Sequence, residues 1–390
     1  MKSETKIYPT HSLTEKIEEV KLHFENKDIH LGFRRLVDCV LDTQDMNHFK
    51  SCIKLNEWKE SKPRTDDEVA DTCITYLDNL KATTIKAGPS LDYLVNVKGV
   101  RKRFSRGGFV LGPVDMAIEY GEVWGLVGEN GNGKTTLLRI LAKDLSYDSG
   151  SVLYGTNFPI SSDYDLRTKL AYIPQRTSKW FGSVKMNLKL TAAHYGITGE
   201  DNETWVMIMI IRFGLYAFRN HNWNELSSGY KMRFELTRTF LRKPKLLLLD
   251  EPLANLDILA QQIVLEDLRF LAKSISNPLG IVLSSQQLFE VEKISDRIVF
   301  LKNGAPTLLH DTLKTSGSCV VELEVNINRE RLLESLGSLN ILDIKYNGGQ
   351  YIIEFNNDKG INGLLACLIN DGIAVKYIRD ISGSSRRLFT

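Results

Sequence analysis

The strongest chemical signal in this chain is Gly128-Glu129-Asn130-Gly131-Asn132-Gly133-Lys134-Thr135, which reads G-x-x-x-x-G-K-[ST]. Glycines let a backbone wrap closely round an anion, and successive N–H groups at a helix N-terminus bind it. Lys134 adds a point charge for the outer phosphates of a nucleotide. The Thr135 hydroxyl can ligate Mg²⁺, and Thr136 completes the loop set. Downstream, an apolar run over 246–249 ends in Asp250 and Glu251. Asp250 suits Mg²⁺ binding, and Glu251 suits a base that activates water.

The surrounding elements fit these groups. The apolar run 123–127 reads as a strand and 136–142 as a helix, the context such a loop needs. The continuous run of leucines before Asp250 reads as a buried parallel strand. Its carboxyl end would deliver both acids next to the loop, where α/β sheets place their ligands. A glycine-rich loop alone often only caps a helix, and an acid pair alone is often only solvated. The complete loop followed by the acid pair favours the nucleotide reading.

Leu226-Ser227-Ser228-Gly229-Tyr230 lies just upstream of the acidic strand, with 21 residues from Gly229 to Asp250. In this order, the stretch from about 97 to 304 resembles the nucleotide-binding domain of ABC-type ATPases. That resemblance implies ATP and Mg²⁺ as cofactors. Ala171-Tyr172-Ile173-Pro174-Gln175 resembles the family's glutamine loop, whose amide sits near Mg²⁺ and the attacking water. Phe104, 24 residues before Gly128, matches the aromatic that stacks on adenine, although a core phenylalanine is the plain alternative. Leu253 to Asp257 resembles a loop that crosses to a partner subunit, and 296–304 the closing strand and turn. Ser227, Ser228, Gly229 and Asp257 would then act in trans, on ATP held by the phosphate loop of a second copy.

Two departures stand out. Gln286 occupies the position of a histidine that ordinarily contacts the γ-phosphate, within Ser284-Ser285-Gln286-Gln287. An amide donates hydrogen bonds but carries no charge, so slow hydrolysis with intact ATP binding is expected. The signature also has Ser228 where glycine is commoner and Tyr230 where glutamine is commoner. The resemblance implies an ATP-hydrolysing subunit that dimerises round two ATP, as a homodimer or with a similar ATPase. It would drive transport, of the export kind, through polytopic membrane subunits on separate chains, from a cytoplasmic position at the inner face of the cell membrane. Trp180 and Phe181 are candidate contacts to those chains, with core packing an equal reading. The alternative is a soluble ABC-type ATP switch with a non-membrane partner and weak or no hydrolysis.

The expected organisation has three parts. Residues 1–88 read as a small helical bundle, with capping boxes at Ser12/Glu15 and Thr65/Glu68. The third helix, near Phe49, Cys52 and Ile53, is the weakest. Fourteen basic and sixteen acidic residues in this stretch make it no basic arm. Thr83 to Ser90 reads as a linker. Residues 92–312 form the α/β part, a P-loop ABC ATPase core with a RecA-like α/β body and a helical subdomain. Residues 316–390 run strand, helix, hairpin through Asn347-Gly348-Gly349, helix, strand. That order suggests a ferredoxin-like βαββαβ domain.

Composition excludes several classes. Of 390 residues, 43% are apolar and 25% charged, the balance of a globular chain of two or three domains. A net charge of +2 gives no electrostatic case for nucleic acid, and none is expected as partner. The five cysteines are scattered, without a C-x-x-C pair, so neither a disulfide framework nor a structural zinc is expected. The N-terminus lacks the apolar stretch of a signal peptide, and no run of about 18 apolar residues could span a bilayer. The apolar stretch 205–218, broken by Arg212, fits a buried helix instead.

Overall fold

The computed structural model describes residues 12–85, 93–105, 108–155, 162–308, 318–337, 339–356 and 360–382. It begins with four helices, α1 (Leu13–Glu25), α2 (Ile29–Thr43), α3 (Met46–Glu60) and α4 (Asp66–Leu80). Both expected capping boxes close, at Ser12/Glu15 and Thr65/Glu68. Each is worth about 1 kcal/mol to its helix. The third helix is not the weak element its sequence suggests: α3 runs for 15 residues, with Asp45 accepting from Asn47 N at its start. On its buried side the Phe49 and Trp205 rings lie 5.6 Å apart. The expected linker is irregular over 83–85, and its remainder lies outside the described residues.

The central part holds nine strands and seven helices among the described residues. These are β1 (Tyr93–Arg103), β2 (Val110–Glu119), β3 (Val123–Val127), α5 (Lys134–Leu141), β4 (Ser149–Tyr154), α6 (Asp163–Lys169), β5 (Leu170–Ile173), α7 (Val184–His194), α8 (Gly199–Arg212), α9 (Ser228–Phe240), β6 (Leu246–Leu249), α10 (Ile258–Ala272), β7 (Gly280–Ser285), α11 (Leu288–Glu292), β8 (Arg297–Lys302) and β9 (Ala305–Leu308). The main sheet has the order β5-β6-β7-β3-β8-β9, parallel except at its β8–β9 edge. Strands β3, β6 and β7 are buried along their whole length, as apolar runs covered on both faces must be. A second, antiparallel sheet has the order β2-β1-β4.

The last elements are β10 (Ser318–Val325), α12 (Arg329–Ser335), β11 (Ile341–Asn347), β12 (Gln350–Asn356), α13 (Gly360–Asn370) and β13 (Val375–Asp380). They form an antiparallel sheet of order β11-β12-β10-β13, the ferredoxin-like arrangement. Gly348 and Gly349 make the two-residue hairpin turn with φ of 60° and 90°, a left-handed pair that glycines adopt without penalty.

Arg212 stands where the sequence reading put the break in the apolar stretch: it ends the buried helix α8, and its own side chain is fully buried. Its Nε donates to Asp38 of α2 and its guanidinium lies 3.0 Å from Asp267 of α10. The helical bundle thus docks on the central part through charge as well as apolar packing.

Candidate functional site

Three adjacent strands of the main sheet, in the order β6-β7-β3, end at one place. β3 runs into the phosphate loop, β6 into Asp250 and Glu251, and β7 into Ser285 and Gln286. The loop cannot be built without its glycines. A side chain on Gly128 would put its Cβ 2.4 Å from the Leu301 carbonyl oxygen. Gly133, at φ 100°, caps α5, and a Cβ there would meet Leu111 and Phe109 at 2.9 and 3.1 Å. Asn132 accepts at its Oδ1 from Asn303 N (2.8 Å), fixing the loop to the β8–β9 turn.

The buried Lys134 Nζ donates to the carbonyls of Gly128 (2.6 Å) and Glu129 (3.2 Å) and lies 3.1 Å from Glu251 Oε1. Thr135 donates through Oγ1 to Asp250 Oδ1 (3.1 Å). Two residues that sequence reasoning missed complete the support of Asp250. Ser284 Oγ donates to Oδ1 (2.8 Å), and the Tyr172 hydroxyl donates to Oδ2 (3.3 Å). The same Ser284 Oγ accepts from Glu251 N (2.8 Å). Burial, then the Asp250 carboxylate, pushes the Tyr172 phenol up to about 12, so it is a donor at neutral pH. Glu251 sits at φ 50°, a left-handed conformation that non-glycine residues rarely hold. Such strain survives where the surroundings fix it, here the Ser284 bond and the Lys134 pair. Gln286 Nε2 donates to Glu251 Oε2 (3.4 Å), so the residue replacing the expected histidine touches the candidate base.

The donor set fits a magnesium nucleotide. Thr135 hydroxyl and Asp250 carboxylate are hard oxygen ligands of the kind Mg²⁺ takes. Glu251 Oε1 is buried against the Lys134 ammonium at 3.1 Å, which sets a carboxylate beside the lysine of the loop. At Gly131, φ 83° with nothing within 4 Å of a Cβ, the loop is open to a ligand.

Other expected site residues lie apart. Phe104 is half-buried and its ring is 6.2 Å from that of Phe109. It is Phe109 that approaches the loop at Gly133, a second aromatic the spacing argument passed over. Gln175 is exposed beyond β5, and among the described residues no hydrogen bond ties it to the acid pair. Ser227 caps α9, accepting from Tyr230 N (3.4 Å). Ser228 Oγ donates to the Asn255 carbonyl (2.8 Å), and a Cβ on Gly229 would lie 3.3 Å from Ala260. Asp257 caps α10 through Ala260 N (2.8 Å). The signature turn and the 253–257 loop therefore form one unit. Among the described residues it makes no hydrogen bond or ion pair with the phosphate loop. Trp180 and Phe181 divide: Trp180 Nε1 donates to the buried Glu235 (2.8 Å), while Phe181 is 85% exposed. Met186 and Leu190, one turn apart on α7, are exposed beside it. Among the described residues no helix is long and apolar enough to cross a membrane.

A parallel sheet with a phosphate loop after β3 and an acid pair after a neighbouring strand defines a P-loop ATPase domain. Residues 111–254 match the family model described as ABC transporter. YbhF of Escherichia coli strain K12, named a probable multidrug ABC transporter ATP-binding protein, is 32% identical over 229 residues, 57% of this chain and 39% of its own. PotA of Mesoplasma florum, named a spermidine/putrescine import ATP-binding protein, is 32% identical over 216 residues, 54% of this chain and 60% of its own. The chain thus spans less than two thirds of either relative. Among solved structures, cbiO1 from Clostridium perfringens, described as part of the ABC transporter complex cbiONQ, superposes with a TM-score of 0.51 at 26% identity. The match covers 56% of this chain and 88% of that one.

Proposed function

We propose that this protein is the ATP-binding and hydrolysing subunit of an ABC transporter, working on polytopic membrane subunits carried by separate chains. The observation that carries it is the cluster Lys134, Thr135, Asp250, Glu251 and Gln286, joined by contacts of 3.1–3.4 Å at the ends of three neighbouring strands. Lys134 and the loop N–H groups bind the β- and γ-phosphates. Thr135 and Asp250 would hold Mg²⁺, with Tyr172 and Ser284 fixing the Asp250 carboxylate; the ion would supply charge neutralisation on the transferred phosphoryl group. Glu251 takes a proton from the attacking water, oriented by Gln286; Gln175, exposed beyond β5, is assigned to the same water by the family resemblance alone. Ser227, Ser228 and Gly229 of a second copy, or of a similar ATPase, offer donors to the γ-phosphate from the start of α9.

The exposed Phe181, Met186 and Leu190 make an apolar strip on the segment between Gln175 and Ser227, suited to a membrane-chain contact. The relatives are named for both import and multidrug transport; export is our reading, resting on the layout with a C-terminal βαββαβ unit. The test is the variant Glu251→Gln. It should bind ATP, lose turnover by about 10²–10⁴-fold, and run as a dimer in ATP by light scattering. Unchanged turnover would remove Glu251 as the base, and a monomer in saturating ATP would refute the dimer round two ATP.

A further inference from the structure

The helical bundle of residues 13–80 makes its deepest contact with the ATPase part through buried charges. Arg35 and Asp38 lie one turn apart on α2 and pair with each other at 2.9 Å. Asp38 also accepts from Arg212 at the end of α8, and Arg35 lies 3.4 Å from Asp267 of α10 with its guanidinium over the Phe270 ring at 3.5 Å. Arg34 reaches Asp267 from the rim at 3.3 Å. Asp42, on the same face of α2, is paired with Lys16. It also accepts from Ser274 Oγ, Ile275 N and Ser276 N, the turn that follows α10. Arg35, Asp38, Arg212 and Asp267 are all buried. Buried charges cost several kcal/mol each unless paired, so each member depends on the others for its place.

The two helices joined here both lead to the signature unit. α8 is fixed to the far end of α9, since Trp205 Nε1 donates to the Leu241 carbonyl (3.1 Å) and Phe213 packs on Phe240 at 5.6 Å. α9 begins at Ser228 and α10 begins just after Asp257. At their near ends α9 and α10 are tied by the Ser228–Asn255 hydrogen bond. At their far ends the tie runs through Arg212, Asp267 and the two residues of α2.

We propose that the bundle is a positioning element for hydrolysis: Arg35 and Asp38 hold α8 on α10, and so keep Ser227–Gly229 and Asn255–Asp257 in the arrangement a partner's ATP needs. This rests on the reading of the site given above. Among the described residues no hydrogen bond or ion pair joins the bundle to the phosphate loop, so nucleotide binding by the single chain is expected to be independent of the brace. The signature unit should loosen when the brace is cut.

The test uses the full chain with Asp38→Asn, and with Arg34→Gln as the milder variant that keeps its fold if the first does not. Two readouts are taken. Amide exchange over 227–230 and 255–257 should quicken at least fivefold in Asp38→Asn and at least twofold in Arg34→Gln, with 128–136 unchanged. ATP turnover should fall at least tenfold and threefold respectively, with the dissociation constant of a fluorescent ATP analogue within twofold of wild type. Unchanged exchange at both segments in a folded variant would overturn the brace. So would faster turnover, or turnover and nucleotide affinity failing together. If the wild type itself shows no turnover, the reading of the site fails, and the exchange arm alone still decides the brace.

Discussion

The Tyr172 hydroxyl donates to Asp250 Oδ2 across 3.3 Å, and this bond links the strand before Gln175 to the acid that would hold the metal. Because Thr135 and Ser284 both use Oδ1, Tyr172 alone among these three orients the second oxygen. Tyr172→Phe should therefore raise the Mg²⁺ concentration for half-maximal nucleotide binding by about 3–10-fold, the scale of one ordinary hydrogen bond of about 0.5–1.5 kcal/mol. Affinity measured in EDTA should not change. Equal loss with and without Mg²⁺ would make Tyr172 a packing residue only.

Lys134→Ala should weaken ATP binding by roughly 100-fold, since charge-assisted hydrogen bonds are worth about 1.5–3 kcal/mol each. It also strips the counter-charge from Glu251. Calorimetric titration checks this, and wild-type affinity would contradict the phosphate-loop assignment.

Gln286 contacts Glu251 rather than standing free. Gln286→Ala should cut kcat by about tenfold with little change in KM, because the amide orients a group that acts only in the transition state. Gln286→His should raise kcat, since an imidazolium can carry charge toward the γ-oxygens. Steady-state rates for both variants side by side decide; a kcat indifferent to alanine would remove Gln286 from the site.

Asp38 gives a pH prediction. Burial opposes its charge, but Arg212, Arg35 and Lys16 together hold its carboxyl below the ordinary aspartate value. A carboxylate whose folded value is depressed stabilises the fold above its unfolded value, about 3.9, and loses that contribution as pH falls through the folded one. The wild type should melt well above Asp38→Asn at pH 7, breaking a buried pair costing about 3–5 kcal/mol. The gap should narrow below about pH 4. A constant gap from pH 7 to pH 3 would show that Asp38 does not titrate against the cluster.

What the sequence showed was local. The phosphate loop, its flanking strand and helix, the capping boxes and the glycine hairpin are each specified within about ten residues, so pattern alone reveals them. Glu251 and Asp250 were legible for the same reason. Ser284 and Tyr172 were not, because their role depends on β7 lying between β6 and β3, and on β5 lying beside β6, which is sheet order rather than spacing. Phe109 escaped because a distance counted along the chain favoured Phe104. Arg212 was legible as the break in the apolar stretch, but its burial was not, because its partners at 38 and 267 lie far away along the chain. Nothing in the bundle's periodicity foretold that its second helix would carry a buried charge cluster.

That cluster also has a history during synthesis. Asp38 and Arg35 leave the ribosome 229 and 232 residues ahead of Asp267. At about 5–20 residues per second, the gap is roughly 10–50 s. Through that interval the nascent bundle carries a helical face whose charges match each other but whose docking surface does not yet exist. The bundle is then completed by the arrival of the part that follows it, and the assembly of the two becomes a late, contingent step of biogenesis.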